Sequence, residues 1–160
     1  MQVRIEKLPN KQLIGKSVRM SLVDNKTGEV WRDFQLNKSV VSNTIGTDLY
    51  SIQVYENSDY FENFSPQTAF TKWAAIEVAD TINIPNGFMS FELSAGLYAV
   101  FVHKGTAQEF QKTFQYIFSQ WLPNSDYDLD NRPHFELLGE KYKNNDPSSE
   151  EEVWIPIRKK

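Results

Sequence analysis

The chain has no cysteine and only two histidines, His103 and His134, among its 160 residues. Without thiols there can be no disulfide, no thiolate nucleophile and no cysteine-based zinc site. Two histidines alone read as strand-end or groove residues, so no metal and no cofactor is expected. Long apolar runs are missing too. No span reaches the ~18 apolar residues of a membrane helix, and the opening Met-Gln-Val-Arg-Ile-Glu lacks the apolar core of a secretion signal. A cytoplasmic protein without membrane contact is the expectation. An excess of positive charge is also lacking: 17 Lys and Arg face 21 Asp and Glu, for a net charge of −4. With no basic run long enough to line a face, nucleic acid is not expected as a direct partner.

What is plentiful is aromatic side chain, 14% of the residues, spread throughout. The length suits one domain over residues 1–160 with a real core.

The stretch from Leu93 to Leu138 organises the pattern. Tyr98 to His103 is a strand, rich in β-branched and aromatic residues and led in by Gly96. Gly105 ends it, and Thr106 with Glu109 three residues on matches a capping box. Phe110, Phe114, Ile117, Phe118 and Trp121 recur at helical spacing, and Pro123 stops the helix near Trp121-Leu122. From Pro133 the pattern alternates, with Phe135 and Leu137 on one face and His134, Glu136 and Leu138 on the other. If Phe135 and Leu137 pack on the helix, Glu136 lies across the sheet from it. A carboxylate costs several kcal/mol to bury unpaired, so Glu136 needs water, a hydrogen-bond donor or a cation.

The first half repeats this order. Val3 to Leu8 and Leu13 to Met20 read as strand, and Asp24 to Gly28 as a turn. Val30, Trp31 and Phe34 give a shorter helix, and Asn43 to Asp48 a loop. Tyr50 to Tyr55 alternates, Asn57 to Pro66 is a loop, and Phe70 to Ala79 is a strand. Gln53 then falls where Glu136 falls, and Trp73 where Trp154 falls, at offsets of about 83 and 81 residues. The expected fold is α+β: two βαββ modules, about 1–82 and 88–160, related by a pseudo-two-fold axis. Their antiparallel sheets carry two main helices on one side and a ligand groove on the other, with Glu136, Gln53, Trp73 and Trp154 facing that groove.

Gly96-Leu97-Tyr98-Ala99-Val100-Phe101, Trp121-Leu122-Pro123, Arg132-Pro133-His134-Phe135-Glu136 and Val153-Trp154-Ile155-Pro156-Ile157 resemble the gyrase-inhibitor-like small-molecule-binding domain. The same domain is the effector-binding part of some AraC-type and multidrug-sensing bacterial transcription regulators. Glu29 to Phe34 is similar to its first helix. The resemblance implies a duplicated βαββ fold whose groove takes lipophilic, often cationic, small molecules, with Glu136 neutralising the charge and aromatic residues, Trp154 among them, stacking around it. No helix-turn-helix precedes the matching residues, which points to a stand-alone effector-binding protein.

Three functions are open. A binding module would use Glu136 at the groove base, with Trp73, Trp154, Tyr98, Tyr55, Gln53 and Leu138 around it. A hydrolase of reactive lipophilic compounds would use Glu136 as general base and Tyr98 or Tyr55 as proton donor. A protein-binding inhibitor would offer an acidic or aromatic patch at Asp126 to Asp130 or Tyr60 to Glu62. Other signals read structurally. Trp31, Phe110, Phe114 and Trp121 are assigned to core packing, and Glu150 to Glu152 to solvated charge. Asp126, Asp128 and Asp130 have calcium-loop spacing, but Asn131 and Leu137 stand where that loop needs Gly and Glu.

Overall fold

A computed structural model describes residues 1–56 and 64–160; the patch at Tyr60 to Glu62 falls outside them. In chain order the elements are β1 (Val3–Leu8), β2 (Lys11–Met20), α1 (Thr27–Asn37), a 3-10 turn (Lys38–Val40), β3 (Thr44–Val54) and β4 (Phe70–Val78). Then come β5 (Met89–Leu93), β6 (Gly96–Lys104), α2 (Ala107–Tyr116), a π-helical turn (Ile117–Trp121), β7 (Tyr127–Leu129), β8 (His134–Leu138) and β9 (Glu150–Lys159). The fold is α+β, as the alternating and helical periods predict. Among the described residues no helix is long and apolar enough to cross a membrane.

The expected loop at Asn43 to Asp48 and the acidic stretch Asp126 to Asp130 both contain strand. Residues 44–48 extend β3, held through Thr44 opposite Val78 and, beyond a bulge, Leu49 opposite Ile76. Within the acidic stretch β7 pairs with β9, because Tyr127 and Leu129 pack into the apolar cluster under α2. Thr106 does stand at the N-cap of α2, but its side chain makes no capping bond. Instead the ring of His103 is held on both sides: Nδ1 lies 2.7 Å from Thr113 Oγ1 and Nε2 lies 3.1 Å from the Thr106 carbonyl oxygen. A carbonyl only accepts, so Nε2 donates to Thr106.

All strand pairs are antiparallel, in the order β1-β6-β9-β8-β3-β4-β2-β5, with β7 beside β9. The order reads the same from both ends when β1 is matched with β5, β2 with β6, β3 with β8 and β4 with β9. The two halves are thus related by a pseudo-two-fold axis between β3 and β8. Each half also lends its leading strand to the other: β1 pairs with β6, and β5 pairs with β2.

That exchange fixes the shape of the sheet. β1 and β2 lie six places apart in the order, which in a flat sheet is roughly 29 Å at the ordinary strand spacing. Yet only Pro9 and Asn10 separate them in the chain, and so short a link reaches at most about 11 Å. β5 and β6, joined by Ser94 and Ala95, meet the same constraint. The sheet must therefore curl until its ends meet, and the two links touch where the Ala95 amide donates to Asn10 Oδ1 at 2.6 Å. Inside the curl lies the main core: Leu8, Leu13, Tyr50, Ile52, Trp73, Leu93, Tyr98, Val100, Phe135 and Trp154.

Both helices pack on the outer face. Val30 and Phe34 seat α1 on Ile14, Ala74, Ile76 and Val78. Ile117 seats the end of α2 on Ala99, Phe101, Val153, Ile155 and Ile157. The curl leaves little space between β2 and β4 at Gly15, which sits opposite Ala75. A β-carbon there would lie 2.7 Å from Ala75 Cβ and 2.8 Å from its Cα, and would strike the Ala74 carbonyl. Gly15→Ala is expected to destabilise the fold by about 1–3 kcal/mol, read as a lowered midpoint in urea unfolding. An unchanged midpoint would show that β2 can shift freely.

Candidate functional site

The alternation of β3 and β8 places Ser51, Gln53, His134 and Glu136 on the outer face, where the two halves meet. Ser51 pairs with Glu136 and Gln53 with His134 across the central strand pair, so these four side chains surround the pseudo-two-fold axis. β4 and β9 flank them and add Lys72 and Glu151. Above this floor α1 and α2 stand apart and leave a cavity of about 1160 Å³. Its walls are aromatic: Trp31 from α1, Phe110 and Phe114 from α2, and Tyr55 beyond the end of β3. Leu138 lies at the far end of β8, and the exposed Arg32, Tyr142 and Lys143 form part of the rim. Drug-sized ligands occupy pockets of roughly 300–1,000 Å³, so the space is ample.

The floor is charged. Gln53 Nε2 donates to Glu136 Oε1 at 3.0 Å, and Lys72 Nζ lies 3.9 Å from the same oxygen. Both ionised side chains are well covered, with 8% of Lys72 and 14% of Glu136 exposed. Burial raises the Glu136 carboxyl above the ordinary carboxylate range, and Lys72 and Gln53 pull it part of the way back. Burial likewise lowers the Lys72 ammonium, opposed by Glu136 and Glu151. Glu151 is pushed up to about 7, by burial first and by the Glu136 charge second, with Lys72 opposing. His134 is pushed down to about 3 by burial and the nearby Arg132 cation, so it stays neutral at physiological pH. Its ring meets Tyr55 edge-on at 4.9 Å and stacks on Phe118 at 6.2 Å.

Glu136, Gln53, Tyr55 and Leu138 come together in this cavity. Trp73, Trp154 and Tyr98 do not, and the cavity lies on the helix side of the sheet rather than the side away from it. The cause is the curl, which turns the helix-free face into its concave inside. Trp154 stacks on Phe135 at 5.1 Å, Trp73 meets Phe91 at 5.0 Å, and Tyr98 meets both Phe135 and Trp154 edge-on. Phe135 and Leu137 accordingly pack inside the curl and not on a helix. Tyr98 is committed structurally as well. Its hydroxyl donates to the Pro133 carbonyl at 2.8 Å, and the Arg132 guanidinium covers its ring at 4.7 Å. Arg132 also donates to the carbonyls of Leu97 and Ile157, at 2.5 and 3.0 Å, and pairs with Asp130 at 2.7 Å. These bonds anchor the start of β8 and so set the height of Glu136. They also take Asp130 away from any cation loop, and the described residues hold no cluster of three or more His, Cys, Asp or Glu placed for a metal ion.

Lys72, Glu151, Trp31, Phe110 and Phe114 are among the lining residues that the sequence did not single out for this site. The signal was present for two of them. Phe70, Lys72, Ala74, Ile76 and Val78 share one face of β4, so Lys72 interrupts an apolar stripe. Glu151 stands at the head of the face of β9 that carries Val153, Ile155 and Ile157.

A family model for integron-associated effector-binding proteins matches residues 4–157 of the chain. The chain is 26% identical over 159 residues to the transcriptional regulator BrlR of Pseudomonas aeruginosa, and spans 98% of its own length but only 56% of that protein. Among solved structures it is similar to SAV2435 bound to tetraphenylphosphonium, with a TM-score of 0.75 at 12% identity over 99% of this chain and 94% of the other. It is also similar to an integron cassette protein of Vibrio cholerae, with a TM-score of 0.65 at 15% identity over 98% and 95% of the two chains.

The raised carboxyl of Glu151 has a consequence for stability. In the unfolded chain it ionises near 4.3, whereas in the fold it does so at about 7. The native state therefore binds the proton more tightly between these values, and its stability falls as pH rises through that window. The loss is at most about 4 kcal/mol. Glu151→Gln is expected to melt above wild type at pH 8 and level with it at pH 4. Parallel melting curves at both pH values would show the carboxylate to be fully solvated.

Proposed function

Because this chain belongs to the family of integron-associated effector-binding proteins, we propose that the cavity between α1 and α2 binds a small lipophilic molecule, favouring a cation. The observation that carries the reading is Glu136: a covered carboxylate at the centre of an aromatic-walled cavity large enough for a drug-sized guest. An apolar guest gains by displacing water from Trp31, Phe110 and Phe114, at about 25 cal/mol for each Å² of apolar surface removed from water. A cationic guest gains twice more. An aromatic face within ~6 Å contributes about 0.5–2 kcal/mol, and the buried carboxylate, which burial makes costly to keep ionised, recovers that cost when a positive charge arrives. Gln53 holds the carboxylate oxygen in place and adds no charge of its own.

The kinship with BrlR supports an effector-sensing role of the transcription-regulation type for the binding event. SAV2435 was solved with tetraphenylphosphonium, which makes that lipophilic cation the natural first probe. Trp31 is the cavity-lining tryptophan, so fluorescence reports on occupancy.

Glu136→Gln is expected to weaken tetraphenylphosphonium binding about tenfold or more in a fluorescence titration, and equal affinities would remove Glu136 from the site. Trp154→Leu tests the corrected role of the inner aromatics. It is expected to lower the unfolding midpoint through loss of the Phe135 and Tyr98 contacts, by about 2–4 kcal/mol, and to leave affinity for the cation unchanged. A large loss of affinity at full stability would put Trp154 back in the site.

A further inference from the structure

The pseudo-two-fold axis supplies an internal control for each side chain on the cavity floor. Gln53 pairs across to Lys72 on β4, and Glu136 pairs across to Val153 on β9. Since Gln53 and Glu136 are symmetry-related, so are Lys72 and Val153. One step along the same strands, Phe70 on β4 corresponds to Glu151 on β9, opposite Met20 and His103 respectively. An apolar residue thus fills the position of Lys72 in one half and the position of Glu151 in the other. The architecture demands neither charge.

Both charges are nevertheless present on the floor of the cavity, with one carboxylate more than ammonium. Fully ionised, Glu136, Lys72 and Glu151 sum to −1. Lys72 Nζ lies 3.9 Å from Glu136 Oε1, and the ammonium is nearly as covered as any residue of the core. The other cations lining the cavity, Arg32 and Lys143, are exposed at the rim, where water and salt screen them.

We propose that Lys72 is the specificity-determining residue of the cavity, a built-in ammonium that neutralises one of the two floor acids and so restricts the guest to a single positive charge. The proposal rests on the reading of the cavity as a cation site and deepens it. With Lys72 in place, one carboxylate remains to be balanced. A monocation balances it, while a dication leaves an uncompensated charge beside a fixed ammonium. A neutral guest of the same shape gains only the aromatic contacts.

Ethidium and propidium share a phenanthridinium ring system and carry one and two positive charges; propidium's second charge sits on a bulkier side chain, so the change in their affinity ratio between wild type and Lys72→Met reports on charge. Binding is measured at pH 8.5, where Glu151 is ionised, by the fluorescence of the bound dye, with a melting curve for each variant. Wild type is expected to favour ethidium. Lys72→Met, which keeps the length and covers the same apolar neighbours, is expected to raise propidium affinity at least tenfold relative to ethidium. Lys72→Arg is expected to keep the wild-type preference. Glu151→Gln retains the Lys72–Glu136 pair and guards against a Lys72→Met protein that does not fold. It is expected to weaken ethidium about tenfold while leaving the neutral analogue 6-phenylphenanthridine unchanged. An ethidium-to-propidium ratio that is the same in wild type and in folded Lys72→Met overturns the proposal, as does equal ethidium binding by wild type and Glu151→Gln. If wild type binds neither dye nor tetraphenylphosphonium, the cation reading itself fails, and the assignment of Lys72 fails with it.

Discussion

Two links of two residues each govern this molecule. Pro9-Asn10 and Ser94-Ala95 join strands that lie six places apart in the sheet, and a chain that short cannot bridge a flat sheet of that width. Closure follows from covalent geometry before any side chain is considered. Once the sheet is curled, one face becomes a concave interior that large apolar groups must fill. Tyr98, Phe135, Trp73 and Trp154 fill it. The other face becomes convex, and two helices standing apart cannot cover the whole of it. The gap that they leave lies over the meeting line of the two halves.

That gap is where the fold can accommodate polar groups. In the interior, each unpaired polar atom would cost several kcal/mol; over the gap, solvent can reach part of every floor residue. Gln53 and Lys72 satisfy Glu136 from one side, and the cavity leaves its other side open to a guest. The symmetry of the backbone is not carried into the chemistry. One half contributes an amide, an ammonium and a phenyl ring at the places where the other contributes a carboxylate, an isopropyl group and a second carboxylate. A symmetric scaffold thereby presents a directional site, with a more acidic end and a more basic one.

Much of this was legible in the residues. The two helical periods, the alternation around Gln53 and Glu136 and the repeat at about 83 residues each follow from local spacing, and local spacing survives tertiary context when it is strong. The position of Glu136 on the floor followed from alternation alone. The side of the sheet did not. Trp73 and Trp154 alternate as cleanly as groove residues would, and nothing within a dozen residues of either says that the sheet rolls over them. That information sits in the pairing of β1 with β6 and of β5 with β2, contacts between segments more than seventy residues apart in the chain. Trp31, Phe110 and Phe114 were misread for a related reason. A helical stripe wide enough to face both sheet and cavity looks, in sequence, like one core-facing stripe. Lys72 interrupts an apolar stripe and Glu151 heads one, but Trp73 and Trp154 on the same strands drew the attention instead.

The exchanged strands also bear on how the chain reaches its native form. β1 is made first but finds its partner only when β6 exists, and β9, the last strand in the chain, is inserted between β6 and β8 in the middle of the sheet. On a ribosome the leading half would therefore emerge with β2, β3 and β4 able to pair and β1 idle, and the sheet would remain two separate pieces until β9 arrived. Topologies dominated by such distant pairings fold slowly. For this one the committing event is the arrival of a centre strand, so the halves stand or fall together rather than as two miniature domains.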